Sequence, residues 1–151
     1  MCRLKFAFVA ALLLWATTPA LAQSSDRHIS EAFPKGAKQI ATGEFRDGDP
    51  AHTGSGQLKI LVAPDGRTIL RLENLKVKAG PDLYVYLAKD PDPLFPEDVT
   101  AAFVSLGDLK GQTGNQNYVV PKDIDLSDWR SVAVWCEAYK VLFAVATIEP
   151  N

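Results

Sequence analysis

Cys136 and His52 are the side chains whose chemistry in this sequence reaches furthest beyond packing. A thiol can be deprotonated, oxidised or metallated, and its reactivity follows the thiolate fraction that its surroundings allow. Cys136 ends a run of apolar residues, and alternation along a strand should point it the same way as Val132 and Val134, toward the more apolar face. There it is either a small buried hydrophobe, the commonest state of a free cysteine, or a reactive group lining a cavity. Glu137 and Lys140 lie close enough in sequence to move its acidity in opposite directions. His52 stands in the Gly-rich stretch His52-Thr53-Gly54-Ser55-Gly56, where an imidazole could ligate a metal or haem iron, or hydrogen-bond a turn. Tyr84, Tyr86, Tyr118, Trp129 and Trp135 could line a pocket for a planar cofactor or a sugar. Large aromatics also fill sandwich interiors, and most of these five are expected to do so.

Several other chemistries lack their residues. A closed zinc site wants Cys and His in spaced pairs, and this chain has His28 and His52 far apart. The acidic pairs Asp47/Asp49, Asp90/Asp92 and Asp123/Asp125 miss the calcium-loop spacing and read as solvated turn residues. Gly107, Gly111 and Gly114 are not followed by a helix opening with Lys-Ser/Thr, so they are turn glycines rather than a phosphate loop. No Gly-x-Ser-x-Gly elbow marks a hydrolase. The residues by themselves name no cofactor and no metal.

The elements that must position these groups are short strands bounded by Gly, Pro, Asp and Asn. Candidate strands cover residues 39–45, 57–62, 68–75, 82–89, 103–106, 118–120, 131–136 and 141–148. Pro64-Asp65-Gly66 closes a hairpin, since proline presets one turn residue and glycine supplies a positive φ. Leu70 and Leu72 alternate with Arg71 and Glu73, which predicts one buried and one wet face. In residues 82–89 both faces are apolar or aromatic, which suits a central strand. The prolines of residues 90–96 predict a loop, and residues 107–115 a second long loop. One helical turn is expected within residues 124–129, and another within residues 30–33. Together these features predict an all-β fold, a β-sandwich or partly closed barrel of about eight short, mainly antiparallel strands.

At the N-terminus Arg3 and Lys5 precede an uninterrupted apolar run over residues 6–15, then Pro19 and the small-x-small triplet Ala20-Leu21-Ala22. This is the pattern of a secretory signal cleaved after Ala22, and the run is shorter than the ~18–20 residues that cross a bilayer. The expected organisation is a signal peptide over 1–22, an irregular leader over 23–37 and one domain over 38–151, with periplasmic or secreted residence. Cys2 would leave with the signal, so Cys136 has no internal disulfide partner. Losing the two positive charges of Arg3 and Lys5 takes the formal net charge from −2 to −4, and no basic block remains for nucleic acid. An integral membrane protein is not expected after cleavage.

The motifs Leu70-Arg71-Leu72-Glu73-Asn74-Leu75, Gly80-Pro81-Asp82-Leu83-Tyr84-Val85-Tyr86-Leu87 and Val132-Ala133-Val134-Trp135-Cys136 complete a pattern with His52-Thr53-Gly54-Ser55-Gly56, Leu106-Gly107, Leu109-Lys110-Gly111, Gly114-Asn115-Gln116-Asn117-Tyr118 and Pro121. In their order along the chain they resemble the DM13 domain family over residues 43–148. The resemblance implies a β-sandwich of envelope or extracellular proteins that acts in redox or electron transfer. It assigns the chemistry to the cysteine matching Cys136, as a bare thiol or as a ligand to a cofactor such as haem. On that basis Cys136 is the candidate catalytic thiol, and Cys136, His52, Trp135, Tyr84 and Tyr86 are candidates for holding a cofactor. An envelope redox or binding partner protein is implied. The other reading is a non-catalytic module with a structural cysteine, recognising its ligand through residues 90–98 and 107–115.

Overall fold

The computed structural model describes residues 26–151, and the expected signal segment lies outside them. Among the described residues eleven strands run in chain order: β1 His28–Ser30, β2 Lys38–Glu44, β3 Arg46–Asp47, β4 Gly54–Val62, β5 Thr68–Val77, β6 Leu83–Ala88, β7 Phe103–Asp108, β8 Thr113–Val119, β9 Ser131–Cys136, β10 Val141–Thr147 and β11 Glu149–Pro150. One helical turn, α1, spans Pro96–Thr100, and a 3-10 turn spans Leu126–Asp128. The strands form a six-stranded sheet, β1-β8-β5-β4-β2-β11, and a five-stranded sheet, β3-β10-β9-β6-β7. Apart from the parallel pair β1 and β8, the pairings are antiparallel. The chain is therefore an all-β sandwich of two sheets and not a closed barrel. The eight expected strands are all present, and β6 lies between β9 and β7 as its two apolar faces require.

Alternation fills the space between the sheets. Leu58 and Ile60 of β4, Leu70 and Leu72 of β5, Leu83, Val85 and Leu87 of β6, and Val132, Val134 and Cys136 of β9 belong to one buried cluster. Each fully buried Leu or Val contributes about 1.5–3 kcal/mol, so this layer dominates stability. The alternate residues Tyr86 and Ala88 of β6, and Ala133 and Trp135 of β9, form a second cluster with Leu142, Val145 and Val99. Val99 belongs to α1, which thus closes the outer face of the five-stranded sheet. Pro96 starts α1 because its fixed φ suits a first helical position, and Asp98 accepts the backbone N–H groups of Leu94 and Phe95. The loop before it is tied down by Ser131 to the Asp90 carbonyl at 2.6 Å, Thr147 to the Pro91 carbonyl at 2.6 Å, and Arg46 to Asp92.

Three sequence expectations are corrected by the fold. Residues 28–30 form a strand rather than leading into a helical turn: β1 lies parallel on β8, where Gly114 takes φ +101° and an added Cβ would stand 1.9 Å from the Ile29 carbonyl oxygen. The expected loop over 107–115 is short, because β7 runs on to Asp108 and β8 begins at Thr113. The predicted wet face of β5 is dry at Arg71, which the N-terminal segment covers. The Arg71 guanidinium donates to the carbonyls of Glu31 and Ala32 and to Asn117, pairs with Glu73, and lies 5.4 Å from the centre of the Phe33 ring.

This covered face makes the fold acid-sensitive. The Lys59 ammonium, with Arg71 beside it, holds the Glu73 carboxyl below its ordinary value against the opposing pull of burial. At Glu31 desolvation pushes upward, but hydrogen bonds from Lys110 and the Asn117 amide leave the pKa lowered. Carboxylates depressed in the folded state contribute stability that is complete above their unfolded pKa of 4.5 and is lost as pH falls through the lower folded values. The urea midpoint should hold steady from pH 7 to about 5 and fall below about pH 4.5. Glu31→Gln should flatten that fall, and an unchanged acid limb would show that the clamp on the N-terminal segment carries none of it.

Candidate functional site

β9 carries two of the sequence-predicted residues on opposite faces, a consequence of strand alternation. Cys136, its last residue, faces inward with no exposed surface, and its Sγ donates to the Pro81 carbonyl at 3.0 Å. It is opposite Leu83 on β6 and Val141 on β10. Pro81 follows Gly80, where an added Cβ would meet the Phe143 ring at 2.6 Å, so the segment over the sulfur is packed directly against the core. The thiol is free of a disulfide, enclosed and fixed in orientation.

Trp135 points the other way and is also fully buried. Its Nε1 donates to Glu137 Oε2 at 2.8 Å, and the Tyr86 hydroxyl donates to the same oxygen at 3.0 Å. Glu137 shares the face of Trp135 because it lies two residues further along, and the Lys140 ammonium pairs with its other oxygen. Lys140, with the two donors, holds the Glu137 carboxyl below its usual range. Burial, and the Glu137 charge next to it, push the Tyr86 phenol well above its ordinary value. Tyr84, on the rim, is raised mainly by the charges of Asp82 and Asp108. Ring centres lie 6.3 Å apart for Tyr86 and Trp135, 6.0 Å for Tyr84 and Tyr86, and 4.5 Å for the stacked pair Tyr86 and Phe103.

His52 belongs to the turn between β3 and β4. Asp49 caps that turn, accepting from the amides of Ala51 and His52 and meeting the imidazole Nδ1 at 2.8 Å. Desolvation raises the Asp49 carboxyl, but these hydrogen bonds outweigh it and leave the pKa lowered. The imidazole packs on the Phe143 ring at a centre distance of 4.2 Å and is half-buried. Contacts run from His52 through Phe143 and Gly80-Pro81 to Cys136, so the two residues share one end of the sandwich without forming a joint ligand set.

Tyr84, Tyr86 and Trp135 are thus brought together on the outer face of the five-stranded sheet, with Cys136 behind them and His52 apart. Four surface clefts of about 210–470 Å³ are lined by none of these five residues. A haem or other planar group does not fit at the Cys136 sulfur as it stands. Ligation there would require the Gly80-Pro81 segment and the Phe143 ring to move aside. Glu137 is the residue of this face that sequence reasoning missed. It binds the Tyr86 hydroxyl and the Trp135 indole, and its two-residue offset from Trp135 on one strand face was the available signal.

The family model of DM13, described as electron transfer DM13, matches residues 44–148, more than half of the chain. The protein belongs to the DM13 family. The match covers β3 to β10, and with them Cys136, Trp135, Tyr84, Tyr86 and Glu137. No curated protein and no solved structure matches the chain. Within this DM13 domain no described helix is long and apolar enough to cross a membrane, and no described group of three or more His, Cys, Asp or Glu side chains could hold a metal ion.

Proposed function

We propose that the protein is an exported electron-transfer accessory domain whose redox-active groups lie on the two sides of β9: the sealed thiol of Cys136 within, and the indole of Trp135 without. Family membership supports the class of activity, and the N-terminal sequence supports export to a periplasm or the exterior. The observation that carries the class of activity is the family match over residues 44–148, while the sealed position of the thiol one residue from Trp135 favours packing over contact chemistry. An enclosed thiol is unsuited to disulfide exchange, which needs direct attack of one sulfur on another, so any redox role of Cys136 is confined to electron exchange through the protein. Voltammetry of the purified domain should show an oxidative wave that Cys136→Ala removes while the circular dichroism spectrum persists. A wave unchanged in that variant would remove the thiol from the reading.

The second reading, a binding module with a structural cysteine, is favoured by the same enclosure and by Leu94 and Phe95, which are 60% and 64% exposed beside α1. On that reading Cys136→Ala costs about 1–2 kcal/mol of stability, as a small core truncation, and changes no electrochemical signal.

A further inference from the structure

We infer that Tyr86, Trp135 and Glu137 form a proton-coupled electron relay that brings oxidising equivalents from the rim at Tyr84 to the strand that bears Cys136. Phenols become strongly acidic when they lose an electron, and indoles become about as acidic as a carboxylic acid, so a base already in place eases the oxidation of both to neutral radicals. Glu137 is such a base for both rings at once, since one carboxylate oxygen accepts from the Tyr86 hydroxyl at 3.0 Å and from Trp135 Nε1 at 2.8 Å. These lie within the ~2.6–3.2 Å over which a positioned side chain takes a proton directly. Lys140 on the other oxygen keeps the carboxylate ionised and ready.

The rings are spaced for short steps. Trp135 is fully buried, Tyr86 is 4% exposed, and Tyr84 is part-exposed at the sheet rim, with centre distances of 6.3 and 6.0 Å between successive pairs. Tunnelling falls exponentially with distance, so near contacts of this kind outrun a single long jump. Phe103, 42% exposed and stacked on Tyr86, shields the phenol on the rim side. Core packing alone would explain the rings, but it does not call for a shared anionic acceptor among them, because a buried hydroxyl or indole N–H is satisfied by any neutral carbonyl.

In the forward step a one-electron oxidant at the rim takes one electron from Tyr86, whose phenolic proton passes to Glu137 Oε2. The products are a neutral tyrosyl radical, a protonated Glu137 and the reduced oxidant. In the next step Trp135 gives one electron to the tyrosyl radical, and its Nε1 proton passes to Glu137 as the Glu137 proton returns to the phenol. This leaves restored Tyr86, a neutral indolyl radical and a still-protonated Glu137. Return of one electron from a one-electron donor, with the proton from Glu137, restores the starting state. The relay rests on the electron-transfer reading of the domain but not on the thiol being its redox centre.

The test uses the purified exported chain and flash-generated tris(bipyridine)ruthenium(III) as the oxidant, with radicals read by transient absorption and electron paramagnetic resonance. A tyrosyl signal is expected in the native protein, with a yield at least tenfold lower in Tyr86→Phe. Glu137→Gln, which keeps the size of the side chain and loses the base, should slow radical formation at least tenfold while the fold is retained. Equal yield in Tyr86→Phe, or an unchanged rate in Glu137→Gln, overturns the relay. Cys136→Ala separates the two ideas: a Tyr86 radical that still forms in it supports the relay even where voltammetry has removed the thiol. A native protein that yields no tyrosyl radical refutes the relay even where the thiol's wave is present.

Discussion

Replacing Trp135 with alanine will cost about 3–5 kcal/mol, the range for truncating a fully buried large aromatic. The indole is fully buried on the outer face of the five-stranded sheet, with Tyr84 and Leu142 opposite it on the neighbouring strands. Its removal opens a cavity under α1, whose Val99 belongs to the same cluster. Against a typical total of about 5–15 kcal/mol, this is a large part of the stability. At tenfold per 1.4 kcal/mol, the folded-to-unfolded ratio drops by about two to three and a half orders of magnitude. Urea unfolding of both proteins measures it directly. Trp135→Phe, which retains most of the buried area and loses the N–H donor to Glu137, should cost far less. Similar losses in the two variants would mean that the hydrogen bond, not the filled volume, holds this face together.

A strand's own alternation is visible in its residues, whereas its dependence on a partner strand is not. Seven of the eight principal strands were legible along most of their length because each has its own apolar residues and its own turn residues, and β8 was legible only at its end. β1, β3 and β11 have two or three residues each, too few to carry a period, and exist only because a neighbouring strand supplies their hydrogen bonds. The first part of β8 reads as a loop because Thr113-Gly114-Asn115-Gln116-Asn117 is polar, yet Gln116 is fully buried. Its side chain donates to the Gly111 carbonyl and accepts from the Lys110 amide and the Tyr118 hydroxyl, which makes a polar residue tolerable in that position.

The site divides in the same way. The inward direction of Cys136 was legible from Val132 and Val134, and structure places all three in one cluster. Its enclosure was not legible, because the closing groups Pro81 and Phe143 come from distant parts of the chain. Likewise the grouping of Tyr86 with Trp135 needs the β6 and β9 register, in which Tyr86 faces Ala133 and Tyr84 faces Trp135. That register depends on long-range pairing, so no local motif could announce it.

Any redox role of Cys136 must run through the protein rather than through direct contact with a reagent or an iron, whereas the relay at Tyr86 and Glu137 does not depend on it. The reaction of iodoacetamide with the folded native protein tests this most directly, compared with the same protein unfolded in urea. Labelling a sealed thiol requires an opening, and an opening that costs even ~4 kcal/mol slows the reaction about a thousandfold. The expected result is labelling in the folded state at no more than about one thousandth of the unfolded rate. Labelling at close to the unfolded rate, with the circular dichroism spectrum intact, would mean that the sulfur is reachable and would contradict the account.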